Sequence, residues 1–470
     1  MLDLKRCTER PIADEFADAE LGDVRRTRRL QRIASAAMRA PDVGFPRMVD
    51  DDSELEGFYR FFSSESVTPE AVLEPHLQAT VARMLQAPGP VLVAHDTTDL
   101  RFGGEGREGV GLTNGDQRGF FLHVALAILP GEERLALGTC GMVRLLRTQY
   151  RDPSRRDSDH ISKDPNRESR RWSELLEQVE DRCEDVDCIH LMDREGDHFD
   201  LLALMQRRRA RFIVRGRIDR LIEPGLRLDT LLGNLQPVAH RTIDISERPD
   251  KGRTPSTIKK HPSRNGRAAR IAVAGCAVTL PAPRRSHDPT AELCLNVVRV
   301  WEPDPPPNEP AVSWTLYTTE PVESAEQLLA IVDYYRSRWV VEEFFKALKT
   351  GCAIEKRQLE TYDALSVALA VFLPIAWRLL LARSISRMHP MASATTVATD
   401  VQLQLLRHKL KLKATPATAE EATYAIARLG GHLKRNGAPG WITLGRGFET
   451  LLLMEAGWRA AVSAQRSDQS

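Results

Sequence analysis

Tyr335, Arg338, Glu342 and Lys349 recur at helical spacing. At roughly 100° per residue they fall within a stripe about 60° wide, and the neighbouring Glu343 points well away from it. Val341, Phe344 and Leu348 lie off the stripe and are available for a core. A carboxylate beside two cations and a phenol suits a site that handles metal and phosphate. Arg338 can hold phosphate oxygens with a bidentate fork and Lys349 as a point charge. The plain alternative is an exposed helix carrying an Arg338–Glu342 pair, worth about 0.2–0.5 kcal/mol. Two more carboxylates stand after short apolar runs: Asp96 follows Val91–His95, and Asp193 follows Asp187–Met192. A strand ending in Asp, a later strand ending in Asp and a helix carrying Glu suggest an α/β sheet whose strand ends converge on a metal. Carboxylate oxygens are the hard ligands Mg²⁺ prefers. Either Asp could instead cap a following helix. Glu195, Asp197 and His198 are a second conceivable metal cluster, which their spacing does not favour. His95 reads as a packed neighbour of the site rather than a ligand.

The elements that must position these residues follow from local patterns. Residues 1–66 look helical, with Asp23 as N-cap of a helix opening at Leu21–Leu30. Residues 67–86 read as another helix, ended by Pro88-Gly89-Pro90. Strands are expected at Val91–His95, Phe120–Leu129, Leu135–Val143, Asp187–Met192 and Arg211–Arg215, with helices at Trp172–Cys183 and Phe199–Gln206. Residues 218–320, with Pro-, Gly- and Arg-rich turns between short strands such as Ile271–Leu280 and Leu293–Val300, read as a β-rich insertion. One helix is expected from Ala325 to Lys349, opened by a capping box at Ser324-Ala-Glu-Gln327 and closed by Gly351. The remainder is mainly helical. Its longest apolar run, around Val367–Leu381, is broken by Pro374 and Arg378 and reads as a buried helix rather than a membrane span.

At 470 residues the chain is expected to hold two to four domains. No apolar stretch follows the basic start, so no signal peptide is expected. Seven cysteines without a CxxC pair argue against a disulfide framework and fit a reducing cytoplasm. The net charge of +1 hides a segregated distribution. Basic clusters occur at Arg25–Arg32, Arg144–Arg156, Arg207–Arg217, Lys251–Arg270 and Arg407–Lys413. Any one of these is an ordinary solvated face; five together point to a polyanionic partner. No Walker-type phosphate loop is present.

The helical motif, Asp96-Thr-Thr and Asp193-Arg-Glu-Gly-Asp197 together resemble the transposon-five-type transposases of the insertion-sequence-four group, a group of bacterial DDE transposases. The resemblance spans almost the whole chain. It runs from Leu21-Gly-Asp-Val-Arg-Arg-Thr and Glu56-Gly-Phe-Tyr-Arg-Phe through Arg118-Gly-Phe-Phe, Arg211-Phe-Ile-Val-Arg215 and Thr319–Ser324 to Ala425–Gly431. It is densest over Arg338–Gly351. It implies an α/β, RNase H-like catalytic domain (67–365) with the β-rich insertion (218–320), between an N-terminal helical domain that binds DNA ends (1–66) and a C-terminal helical dimerisation domain (366–470). It makes Asp96, Asp193 and Glu342 the catalytic ligands of two Mg²⁺ ions, with Mn²⁺ as a substitute. It makes Tyr335, Arg338 and Lys349 contacts to the DNA backbone, and Trp314 a partner of a flipped base in a hairpin. Arg215, Arg25, Arg26 and Arg29 join them as expected DNA contacts. Residues 41–52 and 101–117 depart from the family pattern, so recognition of a particular end sequence does not carry over.

The implied activity is cut-and-paste transposition in a bacterial cytoplasm, on transposon ends and target DNA, by a homodimer. Two ions about 3.5–4 Å apart can activate the attacking oxygen and stabilise the leaving oxygen of an in-line displacement. Water would cut one strand, the freed 3′-OH would close a hairpin on the other, and after hydrolysis the same 3′-OH would attack target DNA. A base stacked on Trp314 would relieve a tight hairpin. The competing readings are a non-catalytic DNA-binding regulator derived from a transposase, and a nuclease without strand transfer.

Overall fold

Short polar side chains set where the first helices begin. In a computed structural model, which describes residues 10–467 apart from 50, 105–106, 115–116, 148–167, 246, 249–261, 284–285, 287–291, 308, 389, 392 and 434–438, Asp23 caps α1 (Val24–Arg39) by accepting the Arg25 N–H at 2.8 Å. Leu30, Ile33, Ala34 and Ala37 give α1 one buried face, as their i, i+3, i+4, i+7 spacing requires. Asp51 caps α2 (Asp52–Phe62), and Thr68 caps α3 (Pro69–Met84), where a proline occupies the first turn.

The sheet starts with β1 (Val91–Arg101), β2 (Gly119–Leu129) and β3 (Leu135–Leu145). Next come α4 (Arg170–Arg182), β4 (Cys188–Met192), α5 (Phe199–Arg207) and β5 (Arg211–Arg215). β1, β4 and β5 are parallel neighbours, and β2 and β3 extend the sheet antiparallel from β1. Both faces of the central strands are covered, which is why Val91–Ala94 reads as a continuous apolar run and why Ile189, His190, Leu191 and Met192 are all buried.

After a small hairpin, β6 (Leu221–Ile222) with β7 (Leu226–Arg227), and the short α6 (Leu228–Gly233), come β8 (Ala239–Ile245), β9 (Arg267–Pro281), β10 (Glu292–Trp301) and β11 (Ser313–Thr318). These later strands do not stand apart as a separate layer. β11 pairs antiparallel with β5 through Leu316–Arg215, Tyr317–Val214 and Thr318–Ile213, so the sheet runs without a break in the order β3-β2-β1-β4-β5-β11-β10-β9-β8.

The expected single helix over Ala325–Lys349 is divided. α7 (Ala325–Ser337) ends and α8 (Trp339–Lys346) begins at Arg338, and Ala347–Gly351 continue as a π-helical turn. The Ser337 hydroxyl donates to the Asp333 carbonyl at 2.9 Å, and Arg338 N–H reaches Tyr335 O at 3.1 Å. Side-chain back-bonding of this kind bends helices, and the shift to i+3 bonding tightens the turn locally. The Ser324–Gln327 capping box is present. Gly351 is not the left-handed cap expected of it: Ala353 takes that conformation, with φ 46°. Gly351 lies instead where an added Cβ would come within 3.2 Å of Leu379.

Leu379 belongs to α9 (Tyr362–Met388), the central core helix. Its stretch Tyr362–Ser384 is long and apolar enough to cross a membrane but is wholly buried in the fold, in keeping with the core helix expected. α9 packs on α1, α3 and β3, and Trp377 Nε1 donates to Ala136 O at 2.8 Å. It spans residues 365 and 366, where a domain boundary was expected. α10 (Asp400–Lys409), α11 (Ala419–Leu429) and α12 (Trp441–Ser467) complete the chain. α12 packs on both α9 and α1.

Candidate active site

β1 and β4 form a ruler. Their parallel register pairs His95 with Met192, so the next residues, Asp96 within β1 and Asp193 just past the end of β4, stand level. Side chains alternate across a strand, which sends Asp96 to the face covered by α8 and α9, and His95 and Thr97 to the face covered by α4. The strand does not end at Asp96 as expected: β1 continues to Arg101, paired with β2, while its partner β4 stops. Asp193 leaves β4 and caps the turn Arg194–Gly196 by accepting the Glu195 N–H at 2.8 Å.

Glu342, in the first turn of α8, is joined to Asp96 through Arg338. One guanidinium nitrogen donates to Asp96 Oδ2 and the other to Glu342 Oε1, both at 2.8 Å. Asp96 Oδ1 accepts the Thr97 N–H at 2.8 Å. Burial pushes the Asp96 carboxyl up to about 7. The Arg338 charge opposes this, and the nearby Asp193 and Glu342 charges add to it. Glu342 is raised for the same reason, chiefly by burial, against the pull of Arg338. Burial alone would lower Arg338; Asp96, Tyr335 and Glu342 more than reverse that and hold it charged.

Tyr335 is 6% exposed, with its ring centroid 5.9 Å from that of Trp314. Burial raises its phenol, while Arg338 and Arg215 draw it down. Burial likewise lowers Arg215. Lys349 reaches past the carboxylates to Asp99 Oδ1 at 3.2 Å, with Glu355 at 4.0 Å. Asp96, Asp193, Glu342, Tyr335, Arg338, Arg215 and Trp314 thus meet on one side of the sheet, with Lys349 beside them. Arg25, Arg26 and Arg29 lie elsewhere, on α1. Arg25 is exposed, Arg26 donates to Leu21 O at 2.9 Å, and Arg29 lies over Gly57 of α2, where an added Cβ would strike its guanidinium.

Glu343 points away, to Lys346 at 2.8 Å and Arg383 at 3.1 Å. His95 is packed, not ligating: its Nε2 meets His190 Nδ1 at 2.8 Å on the reverse face of β1. Glu195, Asp197 and His198 form no cluster. Asp197 is buried and accepts from Arg220 and from the Arg217 N–H, whereas Glu195 turns to Arg171. Among the described residues no group of three or more His, Cys, Asp or Glu is arranged to hold a metal ion. The donor set nevertheless fits a hard dication. Asp96, Asp193 and Glu342 are half-buried hard oxygen donors, near enough that the latter two add to the burial-driven rise of Asp96, and the one charge of Arg338 is shared between Asp96 and Glu342. Of the residues near the site, Asp99, Arg171 and Glu355 are not among those the sequence assigns to it, and Thr97 and Glu195 belong to its motifs without a role there. Asp99 had a signal, three residues after Asp96; Arg171 and Glu355 are joined to the site by tertiary contact alone. Arg151, Arg155, Arg156 and most of the basic stretch Lys251–Arg270 lie outside the described residues.

Residues 9–67 match a family model described as transposase DNA-binding, and residues 160–373 one described as transposase DDE domain. The second match contains Asp193 and Glu342 and begins after Asp96. A DDE domain implies an RNase H-like fold, in keeping with the mixed sheet. A cryo-EM structure of a piggyBac transposase synaptic complex with hairpin DNA is similar at 11% identity, over 93% of this chain and 83% of that one, with a TM-score of 0.32. A superposition that loose decides neither fold nor activity.

Proposed function

From a chain that carries a transposase DNA-binding domain and a transposase DDE domain, we propose a cut-and-paste DNA transposase of the transposon-five type, with Asp96, Asp193 and Glu342 as its catalytic carboxylates. The observation that carries this reading is the β1–β4 register, which sets Asp96 level with Asp193, together with the Arg338 bridge from Asp96 to Glu342. When bound, a pair of Mg²⁺ or Mn²⁺ ions would supply activation of the attacking oxygen and stabilisation of the leaving oxygen.

The chain's own residues bind and orient the DNA. Arg338 and Lys349 sit at the rim of the carboxylates, each paired with an acid that a phosphate can replace. Arg offers a bidentate fork and Lys a point charge. Tyr335 holds Trp314 and Arg215 beside them, so a base displaced from the duplex has an aromatic face next to the scissile phosphate. Nicking, hairpin closure, hairpin hydrolysis and strand transfer are all phosphoryl transfers that one such site can perform. Residues 1–66 bind the transposon ends, 67–365 carry the chemistry, and 366–470, whose first helix is also the core helix, pair two copies across two ends.

Incubation of the full chain with duplex DNA flanking its own gene and Mg²⁺ tests the reading. Asp96→Ala, Asp193→Ala and Glu342→Ala should each remove nicking and hairpins almost completely, because such a site fails as a unit, while end binding survives. Glu343→Ala is the control, since Glu343 faces Lys346 and Arg383 and should keep most activity. Ca²⁺, with its looser coordination, should permit assembly without cleavage. A cleaving Glu342→Ala protein would end the assignment.

A further inference from the structure

On the reverse face of β1 a single arginine grips both that strand and the turn that follows Asp193. Arg171, in the first turn of α4, donates from Nε to Thr97 Oγ1 at 2.9 Å and from Nη2 to Glu195 Oε2 at 2.6 Å. Its remaining nitrogen, Nη1, donates to Glu168 O at 2.5 Å. Thr97 and Glu195 are not arbitrary partners. The Thr97 N–H is the group that holds Asp96 Oδ1, and the Glu195 N–H is the group that holds Asp193 Oδ1, both at 2.8 Å.

We propose that Arg171 is the positioning residue of the site: by clamping Thr97 to Glu195 it fixes how far apart, and at what angle, Asp96 and Asp193 are presented. The clamp completes a chain of hydrogen bonds, Asp96 to Thr97 to Arg171 to Glu195 to Asp193. That chain ties the continuing strand β1 to the turn that leaves β4, where backbone pairing between the two has just ended. Without it, nothing in the sheet ladder holds the Arg194–Gly196 turn against β1.

The geometry is built for rigidity. Arg171 has a side chain only 10% exposed and uses all three nitrogens. Thr97 Oγ1 is held from its other side by His123 Nδ1 at 2.9 Å, and the His123 ring packs edge-on against Trp172 at 4.4 Å. The threonine therefore cannot turn to follow a displaced strand. A planar guanidinium spans two partners at a fixed angle, which a lysine ammonium cannot reproduce. Outer partners that orient metal ligands matter on the scale of about 10- to 100-fold in metal affinity or activity.

The proposal rests on the carboxylate assignment above, and two readouts on the full chain keep the two separable. One is binding of MnCl₂ to the protein without DNA, followed by the electron paramagnetic resonance of free Mn²⁺. The other is the Mn²⁺ concentration that half-saturates nicking of the gene-flanking duplex. Arg171→Ala should raise both by about 10- to 100-fold, and Arg171→Lys should recover part of the loss. Glu195→Gln is the variant that cannot be dismissed as misfolded, since the Glu195 side chain is 60% exposed. It should shift the metal dependence in the same direction, and the Arg171→Ala/Glu195→Gln double variant should show far less than the product of the two effects, as partners in one network do. A melting temperature lowered by Arg171→Ala with both metal midpoints unchanged would make Arg171 a fold brace and overturn the proposal. Unshifted midpoints in Glu195→Gln, or independent effects in the double variant, would overturn the clamp. Asp96→Asn and Asp193→Asn should abolish Mn²⁺ binding and nicking; if they leave both intact, the carboxylate assignment itself falls, whatever Arg171 does.

Discussion

Glu449 is an acid in the wrong place for an ion. It sits on α12, 2% exposed, facing Arg378 of α9 and Arg39 of α1, and its Oε1 finds no hydrogen-bond partner. Burial pushes its carboxyl from 4.5 up to about 7, although Arg378, Arg39 and the Ile12 N–H pull it down. The folded protein therefore keeps a proton on Glu449 where the unfolded chain has already lost it. Each unit of that gap is worth about 1.36 kcal/mol, so ionising the residue in the fold costs about 3 kcal/mol. Because the folded state binds the extra proton, stability falls as pH rises. The loss begins near the unfolded value of 4.5 and is complete somewhat above 7. Between about pH 5.5 and pH 8.5 it amounts to about 2 kcal/mol. Glu449→Gln removes the ionisation and keeps the shape. Thermal unfolding of the two proteins at those pH values should show the variant gaining on the wild type by about 2 °C at the higher pH, taking an unfolding entropy of about 2.1 cal/mol/K per residue over 470 residues. Asp96 titrates in the same window, but it is common to both proteins and cancels. Parallel pH profiles, or a variant that gains equally at both pH values, would refute the reasoning.

Trp314→Ala should slow hairpin closure more than first-strand nicking, because a stacked base is worth about 1–3 kcal/mol; equal slowing of both steps would make Trp314 plain packing against Tyr335. Replacing Arg25, Arg26 and Arg29 by Ala should weaken binding to the gene-flanking duplex and flatten its salt dependence by about 0.9 per lost phosphate contact. Exposed Arg25 should account for more of this than Arg26 and Arg29, which are engaged with Leu21 O and α2; an unchanged slope by filter binding would leave α1 a solvated face. Trp377→Ala should cost about 3–5 kcal/mol in urea unfolding, since the indole is fully buried, donates to Ala136 O and lies under the Arg83 guanidinium at 4.2 Å; a loss below about 1 kcal/mol would mean the core refills the space.

The elements nearest the carboxylates were legible because their signals are local. Asp23, Ser324 and the apolar runs before Asp96 and Asp193 announce caps and buried strands within a few residues of themselves. The helical stripe correctly grouped Tyr335, Arg338 and Glu342, because a helix fixes angle by count. The division of that helix at Arg338 was not legible: it depends on where the Ser337 hydroxyl turns, and a serine in a helix has several choices. Nor was the extent of the sheet, since the pairing of β11 with β5 joins segments about a hundred residues apart. Gly351 misled for a related reason. Glycine marks both left-handed caps and close approaches, and only the position of Leu379 decides between them. Arg171 carried no signal because the two residues it joins, Thr97 and Glu195, come from two other segments of the chain.

The β1–β4 register also says where the chain tolerates length changes. A residue added or lost within Val91–Asp96 or Cys188–Asp193 would turn one aspartate to the opposite face of the sheet, because side chains alternate with a period of two. No substitution could restore it, and a matching insertion in the neighbouring strand would only turn the second aspartate away from Arg338 and Glu342 as well. The exposed turns at Pro130–Arg134 and around Pro303–Pro307 have no such phase to keep. A library of single-residue insertions scored for DNA nicking should therefore fall silent in two narrow windows ending at the aspartates and stay active across those turns.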